Sequence, residues 1–283
     1  MFAWESVLGR ARPAVMGIVN VTPDSFSDGG KWLAHDAAIA HGLDLAAQGA
    51  DILDVGGESS RPGAAPVDAE EELRRVLPVV RALAADAGVP VSIDTVKASV
   101  AQAAVDVGAT IVNDVSAARF DDRMLATVAA AGAGYVVMHM RGEPRTMQDD
   151  PRYDDVVGDV AAFLVERLDA ARHAGIADSA LVADPGIGFG KTVRHNLELL
   201  VGLARLCATV GVPVLVGTSR KSFLGRLVGG APADERDDAT LATVMWAFER
   251  GAAVARVHEV GGAVATAELL SILRRATPDG VAA

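Results

Sequence analysis

Three short apolar runs of the chain each end in a side chain that accepts hydrogen bonds: Asp94 after Val-Ser-Ile, Asn113 after Thr-Ile-Val, and Asp184 after Leu-Val-Ala. A carboxylate in an apolar setting must be offset by donors. A planar heterocycle with adjacent ring N–H and exocyclic NH₂ groups would offer it two parallel bonds. Any one of these residues alone could be a helix cap or a salt-bridge partner; three on one end of a fold argue for a site. Cations recur in similar positions: Arg61 in Gly-Gly-Glu-Ser-Ser-Arg-Pro-Gly, the run Ser219-Arg-Lys-Ser222, and Arg256-Val-His258. Side chains two apart on a strand point the same way, so Arg256 and His258 are expected to face one site. Such a cluster suits a phosphate or diphosphate, although Arg61 by itself could be a solvated loop charge.

These residues need elements to hold them, and a repeat supplies the elements. Gly49, Gly88, Gly108, Gly132, Gly175, Gly211 and Gly251 each close a helical stretch and precede a β-branched run, at a mean spacing of about 34 residues. Glycine tolerates the left-handed backbone that ends a helix, and this spacing is that of one β-α unit. With a first strand at Val15–Asn20 the chain is predicted to have eight strands. Between them Leu73, Val76, Leu77, Val80 and Leu83 follow helical periodicity, with Asp68 and Glu71 placed as a capping box and Pro78 as a kink. Eight alternating units imply a parallel sheet, and the regular count favours a closed (β/α)₈ barrel over an open doubly wound sheet. The expected division is an extension over 1–13, one barrel domain over 14–277 and a tail over 278–283. Long polar connections run from strand to helix (21–31, 57–67, 141–151 and 219–236). A barrel builds its site from those loops at the C-terminal ends of its strands, where Asn20, Asp54, Asp94, Asn113, His139, Asp184, Arg220, Lys221, Arg256 and His258 collect.

Composition narrows the partners. Hydrophobic residues make up 51% of the 283 residues, which rules out wholesale disorder. The formal net charge of −11 argues against nucleic acid or a membrane surface as a partner, but says nothing of the sign of a pocket. Arginine outnumbers lysine heavily, so Lys31, Lys97, Lys191 and Lys221 stand out; Lys97 has no evident role. The single Cys207 excludes an intrachain disulfide and is expected to be buried. The first residues show no basic stretch leading into an apolar one, and no apolar run is long enough to cross a bilayer, so a cytoplasmic protein is expected. Asp184-Pro-Gly-Ile-Gly-Phe-Gly-Lys-Thr192 mimics a P-loop, but Pro185 takes the place of its first glycine. No Cys/His set has zinc spacing. His35, His41, His173 and His195 are expected on the surface, and His139 is ambiguous.

The longer motifs are family-specific. Gly17-Ile-Val-Asn-Val-Thr-Pro-Asp-Ser-Phe-Ser-Asp-Gly-Gly30, Asp54-Val-Gly-Gly-Glu-Ser-Ser-Arg-Pro-Gly63, Ser92-Ile-Asp-Thr95, Asn113-Asp-Val-Ser116, Met138-His-Met-Arg-Gly142, Asp184-Pro-Gly-Ile-Gly-Phe189, Gly217-Thr-Ser-Arg-Lys-Ser-Phe-Leu-Gly225 and Arg256-Val-His258 together make the chain resemble the dihydropteroate synthases from Val15 to about Leu273. The resemblance implies a barrel transferase that joins p-aminobenzoate to (7,8-dihydropterin-6-yl)methyl diphosphate and releases diphosphate in a dissociative, SN1-like order. It implies that Asp94, Asn113, Asp184 and Lys221 hold the pterin, with Met138, Phe189 and Gly217 around it. Asn20 would ligate the Mg²⁺ that accompanies the diphosphate, and Arg256, Val257 and His258 would take the diphosphate. Ser60, Arg61 and Ser222 would lie near the aminobenzoate and diphosphate, while Pro23, Phe26 and Pro62 would close over the site. Asp94, Lys221, Arg256 and His258 would carry the catalysis. Sulfonamides are expected to compete with p-aminobenzoate, and the protein is expected to be a homodimer. Ser60 stands where many members have Thr, and Glu259 where Asp is usual. Two rival readings share the barrel: a methyltransferase domain passing a methyl group from a reduced folate to a cobalamin protein, and a paralogue that binds pterin without turnover. The first should lack the Asn-Val-Thr-Pro-Asp-Ser-Phe-Ser and Ser-Arg-Lys-Ser motifs, both present here.

Overall fold

The computed structural model of the protein describes residues 1–21, 31–59, 66–143 and 145–276, with the backbone alone over 31–34. Eight parallel strands alternate with helices: β1 Ala14–Asn20, β2 Ile52–Gly56, β3 Val91–Asp94, β4 Ile111–Asp114, β5 Gly134–Met138, β6 Leu181–Asp184, β7 Leu215–Val216 and β8 Val254–Val257. They lie in the order β6-β5-β4-β3-β2-β1-β8-β7. A single bridge between Ala183 and Val214, with the Ala183 amide donating to the Pro213 carbonyl at 3.0 Å, joins the two ends and closes the barrel. The expected (β/α)₈ barrel is the observed fold.

The helices are α1 Glu5–Leu8, α2 Lys31–Ala47, α3 Ala69–Asp86, α4 Ala98–Asp106, α5 Met124–Ala131, α6 Val156–His173, α7 Val193–Val201, α8 Leu203–Val210, α9 Ser222–Leu227, α10 Asp237–Glu249 and α11 Val260–Arg275. The seven repeat glycines all have positive φ, from 60° at Gly132 to 119° at Gly108, so the left-handed turn read from the sequence ends each of those units. Pro78 lies inside the unbroken α3. The expected capping box there is only half made: Asp68 accepts from the Glu71 amide, but the Glu71 carboxylate turns to Arg74 and Arg75, which hold it down at about 2. The segment 219–236 is not a plain loop, since α9 and a 3₁₀ turn at Ala233–Glu235 interrupt it.

Residues alternate along each strand between two cores. Outward-facing Val19, Leu53, Ile93, Val112, Val137 and Val257 pack under the helices. Inward-facing Met16, Ile52, Ile111, Val136, Val182, Leu215 and Val254 fill the N-terminal half of the barrel. The N-terminal segment is part of that packing. Trp4 and Val7 sit on the inner layer, the Trp4 indole donates to the Ala180 carbonyl at 3.0 Å, and Arg12 pairs with fully buried Asp51 at 2.7 Å. The N-terminal mouth is thereby plugged, which leaves the C-terminal mouth for polar groups. Among the described residues no helix is long and apolar enough to cross a membrane. Cys207 is a half-buried free thiol rather than a fully buried one, because α8 turns it to the edge of the core; partial burial still pushes it up to about 11.

Candidate active site

At the C-terminal mouth the inward positions change from apolar to polar one step beyond the packed layer. On β8 Val254 is followed two residues later by Arg256, on β2 Ile52 by Asp54, on β4 Ile111 by Asn113, and on β6 Val182 by Asp184. Arg256 donates Nε to Asp54 Oδ2 at 2.6 Å and a terminal nitrogen to Asp94 Oδ2 at 2.8 Å. Asn113 Nδ2 donates to the same Asp54 oxygen at 3.0 Å. Asp54 is wholly buried, and its Oδ1 has no partner among the described residues. One buried carboxylate thus fixes an arginine and an amide from strands on either side of it. Burial works against the Arg256 charge, but Asp54 and Asp94 outweigh it and hold the guanidinium above its ordinary value. Burial also pushes the Asp94 carboxyl up to about 7; Arg256 opposes that rise, and the negative charges of Asp54, Glu72 and Asp114 add to it.

The β6 side of the mouth is a turn built around Asp184. Asp184 Oδ1 accepts the Gly186 amide at 2.7 Å, and burial raises its carboxyl while Lys221 opposes the rise. Gly186 has φ 64°, and a Cβ there would lie 1.8 Å from the His139 carbonyl oxygen, so only glycine fits. Lys221 reaches across from the residue before α9, donates to the Ile187 carbonyl, and sits 4.7 Å from the centre of the Phe189 ring. Burial pushes its ammonium down to about 8, with Asp184 and Asp94 opposing and Arg256 adding to the effect. At Gly217 an added Cβ would stand 3.8 Å from Arg256 Cβ and 3.9 Å from Lys221 Nζ, so this glycine floors the gap between the two cations. Met138, Met140, Met147 and Val115, with Val96 and Phe189 against them, form an apolar wall beside these polar groups. The mouth therefore sets a buried methionine and phenylalanine cluster beside three acids, an amide and two cations, a mixture suited to a flat polar ring with an anionic arm.

Asp94, Asn113, Asp184, Lys221, Arg256, Met138, Phe189 and Gly217 are brought together as expected. Arg256 lies between Asp54 and Asp94, so the acids and cations of the mouth form one mixed cluster. His258, just beyond β8, has Nδ1 2.9 Å from Ser219 Oγ, and the same hydroxyl accepts the His258 amide at 3.1 Å. The hydroxyl has one proton and two lone pairs, so it can meet Nδ1 as donor or acceptor while keeping the amide bond. Val257 has a fully buried side chain facing the helices, so only its backbone could meet a ligand. Ser222 is exposed at the start of α9, and Asn20 is half-buried at the end of β1, level with Gly56. Arg220, with φ 56°, turns away from the mouth to pair with Asp237 through both carboxylate oxygens, at 2.8 and 2.7 Å. Ser60, Arg61, Pro62, Pro23 and Phe26 lie outside the described residues, as does the tail 278–283.

Three residues gain partners that the sequence reading did not give them. Asp54 was legible as a polar strand end, but not as the residue beneath Arg256. Lys97 bridges Glu58 and fully buried Glu72, with 2.5 Å to each. Lys191 is buried against His139. The scarcity of lysine was the one signal for the last two. Glu259 caps α11 by accepting the Gly262 amide, a task that either acid could perform. Of the remaining histidines, His41 and His173 are exposed, and His35 and His195 are half-buried.

The comparisons agree with this geometry. A family model described as pterin binding enzyme matches residues 16–258. The dihydropteroate synthase of Mycobacterium leprae is 48% identical over 270 residues, covering 93% of this chain and 94% of its own. A Xanthomonas albilineans dihydropteroate synthase solved with 4-aminobenzoic acid is 50% identical with a TM-score of 0.88, covering 94% of each chain. A Yersinia pestis dihydropteroate synthase solved as a sulfonamide drug complex is 42% identical, also at a TM-score of 0.88, covering 94% of this chain and 96% of that one. A family match over most of the chain, near-complete coverage of relatives well above 40% identity, and the same barrel show that the chain belongs to the dihydropteroate synthase family of pterin-binding transferases.

Proposed function

We propose that the protein condenses (7,8-dihydropterin-6-yl)methyl diphosphate with p-aminobenzoate, giving 7,8-dihydropteroate and diphosphate. The observation that carries this reading is the mouth itself, which brings Asp184, Asn113 and Asp94 to one end of the barrel beside a buried methionine cluster, with Lys221 and Arg256 among them. Asp184 accepts the ring N–H and NH₂ of the pterin, and Asn113, fixed by Asp54, completes the polar edge. Phe189 and Met138 cover its faces. Lys221 stands where a proton-bearing amine can hold the ring or the bridging oxygen of the diphosphate.

The bond from the pterin methylene carbon to the diphosphate oxygen breaks, and its electron pair leaves with the diphosphate. The resulting methylene cation is offset by Asp94, whose second role is to hold Arg256. The aniline nitrogen of p-aminobenzoate then attacks the carbon and loses a proton to solvent. Arg256 and His258 receive the departing diphosphate and Ser222 serves the aminobenzoate side; the family resemblance would add Ser60 and Arg61 to these contacts and Pro23, Phe26 and Pro62 to closure. Charge stabilisation at the leaving group supplies most of the acceleration in a reaction of this type. No activated nucleophilic side chain is needed.

Asn20 is the residue we assign to Mg²⁺. Among the described residues no group of three or more acidic, histidine or cysteine side chains could hold a metal by itself. One neutral oxygen donor fits an ion that keeps its waters and is held chiefly by substrate phosphates. When bound, Mg²⁺ would neutralise charge on the diphosphate. A cytoplasmic location and a homodimer complete the reading. The dimer is supported by Leu197, Val201 and Trp246, exposed by 39%, 65% and 41% on the adjoining α7 and α10.

A coupled assay of diphosphate release tests the function. Release that depends on p-aminobenzoate, and inhibition by a sulfonamide that added p-aminobenzoate relieves, are the expected results. Release indifferent to p-aminobenzoate would mean hydrolysis of the pterin diphosphate rather than condensation, and no release from a protein that binds it would leave only a pterin-binding protein.

A further inference from the structure

Behind the Asp184 turn lies a polar cluster that the proposed chemistry does not use. Lys191 is only 3% exposed. Its Nζ lies 2.9 Å from the Gly186 carbonyl oxygen, 3.0 Å from the Phe189 carbonyl oxygen and 2.9 Å from His139 Nδ1, and among the described residues it makes no ion pair. An ammonium would spend its three N–H groups on these three acceptors. A neutral amine would donate to the two carbonyls and accept from Nδ1–H. In both states Gly186 and Phe189 are held. His139 is fixed in turn by an edge-on contact with Phe163, 4.9 Å between ring centres.

The rest of the turn is held as closely. The Gly188 amide donates to Asn196 Oδ1 at 2.7 Å, Gln148 Nε2 donates to the Gly188 carbonyl at 2.6 Å, and Lys221 donates to the Ile187 carbonyl from the side of the mouth. The turn is thus gripped by two lysines, Lys221 from within the site and Lys191 from behind. Burying the amine with no carboxylate at ion-pairing distance among the described residues is a large outlay for closing one turn, and only the charge of Asp184 opposes the effect of burial. What the outlay secures is the height of the Ile187 carbonyl and the Phe189 ring relative to Lys221.

We propose that Lys191 is a positioning residue for the pterin side of the site, acting through the Gly186 and Phe189 carbonyls to set Phe189 and Lys221 against the ring. The inference rests on the dihydropteroate synthase reading above.

The test is calorimetric titration of (7,8-dihydropterin-6-yl)methyl diphosphate with Mg²⁺ into the wild type, Lys191→Met and Lys191→Gln. Misplacement of site groups by a fraction of an ångström can cost on the order of tenfold or more. Lys191→Met is expected to weaken pterin diphosphate binding at least about tenfold. Lys191→Gln, with two N–H groups on a shorter arm, should restore part of the loss. Binding by Lys191→Met within about twofold of the wild type, or no recovery in Lys191→Gln, would overturn the proposal. If Lys191→Met does not fold, Lys191→Gln decides by the same criterion against the wild type. A wild type that binds pterin diphosphate but forms no dihydropteroate defeats the functional reading, and the binding ratios still judge Lys191. A wild type that does not bind it overturns both.

Discussion

Arg256 and Asp54, 202 residues apart in the chain, meet at 2.6 Å at the floor of the barrel mouth. Asp54 is fully buried and also takes the Asn113 amide, so a single carboxylate orders two of the groups assigned to substrate. Truncating one partner of a buried pair leaves the other uncompensated, at a cost of about 3–5 kcal/mol. Asp54→Ala should therefore lower stability by about that amount in equilibrium urea unfolding, and lower kcat/KM by about 100-fold. A loss below about 1 kcal/mol would show that Arg256 is held by Asp94 alone.

The two perturbed groups in the mouth predict a narrow pH profile. Asp94 must be ionised to offset the methylene cation, and burial has raised it to about 7. Lys221 must keep its proton, and burial has lowered it to about 8. The kcat/KM profile should rise through about 7 and fall through about 8. Asp94→Asn should remove the acid limb and cost at least about 100-fold in turnover, and Lys221→Met should remove the alkaline limb. Full turnover by Asp94→Asn would sink the role assigned to that carboxylate.

The same Asp94 shift has a consequence for stability. A carboxyl raised in the folded state keeps a proton that the unfolded chain has released, so its cost is full above about 7 and is relieved as the pH falls toward 3.8. Asp94→Asn removes that cost, so the variant should gain on the wild type as the pH rises between those values. Urea midpoints measured across this window check it, and parallel curves for the two proteins would contradict it.

Lys97 holds Glu58 and the fully buried Glu72 together, and Glu58 Oε1 also accepts the Val67 amide at 3.2 Å. Lys97→Met leaves two facing carboxylates and should destabilise the fold by about 3–5 kcal/mol. Adding Glu72→Gln should return part of that loss, because the repulsion goes with the charge. Additive losses in the double-mutant cycle would mean the pair is not coupled through Lys97.

The barrel could be read from the chain because its signals are local. Each repeat glycine closes one helix by its own backbone conformation, and each apolar run announces one strand. The strand-end acids and cations were legible for the same reason, as polar residues interrupting apolar runs at Asn113, Asp184 and Arg256. Side-chain partnerships were not, because they join residues remote in sequence: Lys97 to Glu58 and Glu72 over 39 and 25 positions, and Lys191 to His139 over 52. Arg220 shows the limit from the other side. It sits in a cationic run, yet its left-handed backbone and the acid at the start of α10 turn it away from the mouth. The plugging of the barrel by Trp4 was equally invisible, since nothing near residue 4 names Ala180 as its partner.

The most direct test is to incubate the purified protein with (7,8-dihydropterin-6-yl)methyl diphosphate, p-aminobenzoate and Mg²⁺, and to quantify the products by chromatography and mass spectrometry. The account predicts 7,8-dihydropteroate and diphosphate in equal amounts, both lost when p-aminobenzoate is omitted. Diphosphate without dihydropteroate, or no turnover by a protein that binds the pterin diphosphate, would contradict it.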